Sequence, residues 1–291
     1  MAYFSITACV ILNALNTLLS KKFQTSFDAS FVNLAKYNLI NALIACLFLS
    51  AMNGFVVRLN VETLIYAFAY AIVVIFSLVL SLFAYKFVSV ALVSVISTSG
   101  NVTLSLLFSI FYLKDVPTFQ AVISTILLVI ATVIPLIGKK ENFSKATIPI
   151  CIAYFCISGA SSIVVKLFTL SPTVTDSPSL FVATNVIIAI LALFTLVFVW
   201  LKTRDIKQII KPFTLKQNAN IISRTALSNV SSVLSALAIS LMSLPIYSVT
   251  TSSFALVSAF LLSLFVFKEK TNIIKVLSII IAVCAVVLTL F

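Results

Sequence analysis

Residues 89–119 read SVALVSVISTSGNVTLSLLFSIFYLKDVPTF, and residues 243–273 read SLPIYSVTTSSFALVSAFLLSLFVFKEKTNI. A shift of 154 positions superposes the two stretches. Ser89 falls on Ser243, Ser94 on Ser248, Ser97 on Thr251, Thr98 on Ser252 and Ser99 on Ser253. Farther along, Ser109 falls on Ser263, Phe111 on Phe265, Lys114 on Lys268 and Asp115 on Glu269. Each copy reads as an apolar helix with one hydroxyl-rich face, closed by a Lys-acid pair. So many matched polar and aromatic positions at one shift imply duplication.

Around these copies the chain stays apolar. Of its 291 residues, 62% are hydrophobic and 9% charged. Apolar runs of roughly 20 residues, the length that spans a bilayer, recur from end to end. The reading is an all-α membrane protein with ten transmembrane helices, at 3–20, 31–52, 63–87, 90–113, 118–137, 148–168, 180–201, 220–242, 246–267 and 272–291. Each repeat holds five spans, an odd number, so the second copy enters from the opposite side of the bilayer. Two inverted five-helix repeats, 1–142 and 143–291, are therefore expected, a common plan among secondary transporters. The short connections at 88–89 and 243–245 predict that the helices flanking each are antiparallel neighbours. The basic stretch 202–217 reads as a linker without a domain. The first run lacks a basic leader and a cleavage site, so it is expected to stay as a helix.

The net charge of +12 would suggest nucleic acid if it clustered on a soluble face. Here the basic residues sit at span ends, so lipid is the expected partner and nucleic acid is not. With ten spans, sixteen of the 19 basic residues fall on one side, leaving Arg58, Lys114 and Lys166 on the other. The positive-inside rule puts the lysine-rich side in the cytoplasm and both termini outside. The chain has no histidine, and Cys9, Cys46, Cys151, Cys156 and Cys284 all lie inside apolar runs without metal-ligand spacing. No metal, no cofactor and no catalytic role are expected, and the thiols read as packing residues.

Polar groups in hydrocarbon are costly, so their placement is informative. Ser77, Ser81 and Tyr85 share one face of span three; Arg224, Ser228, Ser231, Ser232 and Ser235 share one face of span eight. Spans four and nine carry Ser94, Thr98, Asn101 and Ser105, and Ser248, Thr251, Ser252 and Ser258. Spans one and six carry Asn13, Asn16, Thr17 and Ser20, and Ser158, Ser161, Ser162 and Lys166. Any one serine more simply bonds back to its own helix. Six matched faces together are expected to enclose a central polar cavity. The candidate substrate-binding residues are Asn13, Asn16, Lys36, Ser77, Ser81, Asn101, Ser158, Ser162, Arg224, Ser231, Ser235 and Thr251. Amides, Asn229 among them, are the strongest single candidates because lipid satisfies none of their hydrogen-bonding groups.

All seven acids lie in or beside the gaps. That argues against trading a proton for an organic cation at a mid-membrane carboxylate. Lys36, Arg224 and Lys166 do enter spans. Each either snorkels to the interface or, facing the cavity, would hold a carboxylate or phosphate; Lys36 ranks first. Spans five and ten, mostly apolar with Ser124 matching Ser278, read as outer helices meeting lipid or a second copy in a homodimer.

Residues 84–117, AYKFVSVALVSVISTSGNVTLSLLFSIFYLKDVP, resemble the third-to-fourth helix passage of the drug/metabolite transporter superfamily, EamA-like branch. Lys114-Asp115 and Lys268-Glu269 stand where Gly-Glu is common in that family, and Lys36 stands where an arginine is frequent. The resemblance covers the whole chain and implies a ten-helix plasma-membrane transporter of a small-molecule metabolite, an amino acid or related zwitterion or anion. It also implies cytoplasmic termini, the reverse of what the charges give. A non-transporting scaffold or a lipid-handling protein is the alternative.

Overall fold

The fold was analysed in a computed structural model, which describes residues 2–24, 30–87, 90–114, 118–137, 147–171, 176–204, 212–265 and 273–290. The described residues form ten helices and no strand. In chain order they are α1 (Ala2–Gln24), α2 (Phe31–Met52), α3 (Val61–Phe87), α4 (Val90–Phe111), α5 (Phe119–Ile137), α6 (Thr147–Leu170), α7 (Ser177–Thr203), α8 (Leu215–Leu241), α9 (Leu244–Phe265) and α10 (Ile273–Leu290). Four of them are long and apolar enough to cross a bilayer, within α2, α3, α6 and α7. Their outward faces are greasy. On α7, Ile190, Phe194, Val197 and Leu201 form an exposed stripe at helical spacing that water would not tolerate. The protein is an all-helical membrane protein.

Local chemistry sets the helix starts. Ser30 caps α2 by accepting from the Asn33 N–H. Asp176 caps α7 by accepting from the Ser179 N–H at 2.7 Å, with Pro178 in the first turn. Thr214 and Gln217 form a reciprocal capping box before α8. These caps narrow the linker read at 202–217: Lys202 lies in the last turn of α7, and Lys216 and Gln217 lie in the first turn of α8. Apolar runs mark only the membrane-buried part of a helix, while caps place its true ends.

Helix partners are mostly distant in sequence. α2 lies antiparallel on α7: Val32 and Ala35 meet Leu196, Ala42 meets Ile188 and Ala189, and the Cys46 thiol sits 3.7 Å from the Val182 carbonyl. α1 lies antiparallel on α8, and α3 on α6, where Tyr66 meets Phe168 edge-on at 5.9 Å. α4 packs on α6 and α9. α5 and α10 cover each other within the chain, leaving Ile126, Ile130, Ile280 and Val283 outward. One end of the molecule gathers several helix ends. There Asn53, which caps the end of α2, donates to Asp176 at the start of α7, and Ser171 after α6 meets Glu62 in α3.

The expectation of antiparallel neighbours at the tight connections is corrected at 243–245. α8 and α9 share few contacts; α8 packs on α1 and α2, and α9 on α4 and α10. A short connection brings helix ends together but leaves their axes free to diverge. The 88–89 connection, Asp115, residues 268–269 and the 142/143 boundary lie outside the described residues.

The tightest crossing joins α4 to α6. A Cβ built on Gly159 would stand 2.6 Å from the Leu104 Cβ and 2.7 Å from the Gly100 carbonyl oxygen. Facing glycines let the two backbones touch, the packing lipid-embedded helices favour. Gly159→Ala should therefore lower the melting temperature of the purified protein, at a cost of about 1–3 kcal/mol for overpacking. Cys156→Ala, on an exposed side of the same helix, should not. Equal melting temperatures would contradict this crossing.

Candidate functional site

The hydroxyls and amides divide into two groups by where their bonds go. Many bond within their own helix. Ser81 donates to the Leu78 carbonyl at 2.8 Å, Ser158 to Phe155 at 2.9 Å and Thr251 to Tyr247 at 2.8 Å. Asn229 likewise donates to Thr225 at 2.7 Å. For these candidates the local bond suffices to explain the residue. Ser77 is half-buried on α3.

Four amide oxygens bond across helices. Ser231 donates to the Asn13 Oδ1 at 2.8 Å and Ser162 to the Asn101 Oδ1 at 2.8 Å. Thr225 donates to the Asn41 Oδ1 at 2.6 Å, and the Arg224 Nε points at the Asn16 Oδ1 from 3.5 Å. A helix interior has no free N–H to offer, so an amide oxygen finds its donor elsewhere or, like the buried Asn220 Oδ1, goes without one among the described residues. All four acceptors lie on α1, α2 or α4, and all four donors on α6 or α8.

The richest seam runs along α1 and α8. The Cys9 sulfur lies 3.1 Å from the Ser231 hydroxyl and 2.9 Å from that of Ser235, and Asn13 donates to it at 3.4 Å. Ser235 is also hydrogen-bonded to the Tyr247 hydroxyl from α9. Cys9 is thus more than the packing residue its apolar setting suggested. Nearer the chain end of α1, the Arg224 guanidinium lies over the rings of Phe23, at 5.5 Å, and Tyr37, at 5.6 Å. The second seam centres on Asn101, whose Oδ1 accepts from Ser162 and whose Nδ2 donates to Ser252 at 3.3 Å. It ties α4 to α6 and α9 beside the glycine crossing.

Asn13 is exposed, and its direction gives that exposure meaning. Phe4, Ile11 and Leu15 form the outward stripe of α1. Asn13 follows Ile11 by two residues, about 200° round the helix, so it faces the protein side. An accessible amide on that face opens onto interior space.

The basic residues separate. Lys166 is buried, and its ammonium donates to the Ile239 and Met242 carbonyls at 3.0 and 3.2 Å. It closes the end of α8, where carbonyls lack helical partners, and does not snorkel. Lys36 is buried with its ammonium 5.4 Å over the Phe213 ring. Arg224 is only half-buried and lies on the same face of α8 as Ser228, Ser231 and Ser235.

The shift of 154 positions does not carry the polar set over intact. Ser77 and Ser81 match Ser231 and Ser235, but the same shift sets Ile163 and Leu167 where α1 has Cys9 and Asn13. The α3–α6 interface therefore lacks the polar partners of the α1–α8 interface. Sequence reasoning had Ser252 on the polar face of span nine but missed Cys9, Asn41 and Tyr247. Asn41 was detectable as an amide inside an apolar run; the others carry no signal of their own. Tyr85, Ser94 and Ser278 have side chains outside the described residues.

No family model matches the chain, and no curated protein matches it. A solved structure described only as "Crystal structure of protein" has a similar fold, with a TM-score of 0.69 at 12% identity. The likeness covers 99% of this chain and 95% of the other, so the arrangement of the entire chain is one seen experimentally.

Asn101→Leu should strip partners from Ser162 and Ser252 together. With interhelical bonds in membranes averaging about 0.6 kcal/mol, a loss of about 1–2 kcal/mol is expected. Ser81→Ala should cost less than about 0.5 kcal/mol. Detergent unfolding of both variants checks the ranking, and an equal effect would contradict it.

Proposed function

We propose that this protein is a secondary transporter that moves a small polar metabolite across the plasma membrane by alternating access. In this reading ten spans form two inverted five-helix halves. The pairing of helices supports it. Exchange each helix for its counterpart five places on, and the principal packed pairs return: α1–α8 becomes α6–α3, α4–α6 becomes α9–α1, and α2–α7, α4–α9 and α5–α10 map onto themselves. One counterpart pair, α2 and α7, runs in opposite directions. α2 ends where its counterpart α7 begins, joined by the Asn53–Asp176 bond.

The observation that carries the reading is the inward-facing, exposed Asn13 beside the α1–α8 seam. A scaffold has no use for an accessible amide inside an apolar bundle. A solute passage needs one, and hydrogen bonds that join the two halves can break and re-form as the halves rock. The basic end of the bundle, where Arg224 and Lys36 sit, faces the cytoplasm by the positive-inside rule.

Purified protein in liposomes should take up at least one labelled amino acid, organic acid or sugar phosphate above empty liposomes. Asn13→Leu should abolish most of that uptake while the protein still melts cooperatively. Transport of hydrophobic cations alone, or no transport by a well-folded protein, would overturn the proposal.

A further inference from the structure

The α1–α8 seam ends in a group the polar network does not account for. Among the described residues Arg224 contacts Asn16, Phe23 and Tyr37, and none of these is a carboxylate. Its bond to Asn16, at 3.5 Å, uses Nε alone. The two terminal amino groups of a guanidinium form the fork that grips planar oxyanions in a bidentate way. Here the aromatic rings of Phe23 and Tyr37 hold the guanidinium in position without neutralising it. The half-buried Arg224 shares one face of α8 with Ser228 and Ser231, and Ser231 bonds to the exposed Asn13.

We infer that Arg224 is the anion-binding residue of the transport site and that its ligand is a monocarboxylate or zwitterion. This rests on the transporter reading above. The charge count selects carboxylate over phosphate. Arg224 is the one half-accessible cation described on this seam, because the Lys36 ammonium is buried over Phe213. A phosphate monoester carries about two negative charges near neutral pH and would leave one uncompensated in a low-dielectric passage. One guanidinium matches one carboxylate in charge and shape. The remainder of the ligand then lies along α8. Ser228 is one turn from Arg224, and Asn13 with Ser231 lies about one further turn along, offering both donors and acceptors.

Arginine chemistry reads this directly, because the chain has three arginines, Arg58, Arg204 and Arg224. Arg58 and Arg204 are exposed and serve as internal controls. The full-length protein in detergent would be treated with phenylglyoxal, and modification of each arginine followed by peptide mass spectrometry. The probes are L-alanine, L-leucine, pyruvate, L-alaninamide and inorganic phosphate. At least one carboxylate should slow modification of Arg224 about fivefold or more while leaving Arg58 and Arg204 unchanged. L-Alaninamide and phosphate should give no protection. The inference is overturned if Arg224 does not react, if no carboxylate protects it, or if phosphate protects it equally.

Uptake separates this inference from the one it rests on. In Arg224→Lys, which keeps charge but loses the fork, KM for the protecting carboxylate should rise about tenfold. Unchanged KM in both Arg224→Lys and Arg224→Gln would remove the carboxylate site and leave transport standing. Specific protection without uptake by the well-folded protein would remove transport and leave the binding site.

Discussion

Hydrocarbon satisfies no hydrogen bond, and the assembly of this chain follows from how its polar side chains meet that constraint. A hydroxyl solves the problem alone by turning onto a carbonyl of its own helix, as Thr125, Thr184 and Thr195 do. An amide cannot. Its N–H can fold back, as in Asn229, but its oxygen needs a donor that no helix interior supplies. Asn13, Asn16, Asn41 and Asn101 therefore reach outward, and each finds its donor on α6 or α8. Four acceptors on the first half and four donors on the second fasten the halves along polar seams. Bonds of this kind are worth only about 0.6 kcal/mol each in a membrane.

The two seams have different surroundings. At Asn101 the glycine crossing brings α4 and α6 into backbone contact, a rigid junction with little room. Along α1 and α8 the neighbours are a thiol, hydroxyls, amides and a guanidinium, and Asn13 is accessible. Polar residues on α1 and α8 set that interface apart from the more apolar contact of α3 with α6.

Much of this was legible in the sequence. Each of the ten helices among the described residues falls on one of the apolar runs, because a helix that meets lipid or an apolar core must be apolar over that length. What could not be read was partner choice: the expectation at 243–245 that α8 and α9 pack as a hairpin failed because chain proximity constrains ends and not axes. Among the site candidates, Asn13, Asn16, Asn101, Ser162, Arg224, Ser231 and Ser235 meet across helices, while Ser81, Ser158 and Thr251 bond within their own. Serine gives no sign of which it will do, and asparagine is only a better guide, since Asn185 and Asn229 fold back onto their own helices. Lys166 was ambiguous because a long cation reaches either an interface or a helix end, and only the fold brings the end of α8 within its reach.

The central claim is that water reaches the inner face of α1 within the bilayer. Single cysteines at positions 4, 11, 13 and 15, in a variant lacking the five native cysteines, can be reacted with a small charged methanethiosulfonate in proteoliposomes. The account predicts that position 13 reacts many times faster than 4, 11 and 15, whose side chains face lipid. A rate at position 13 no greater than theirs would contradict it.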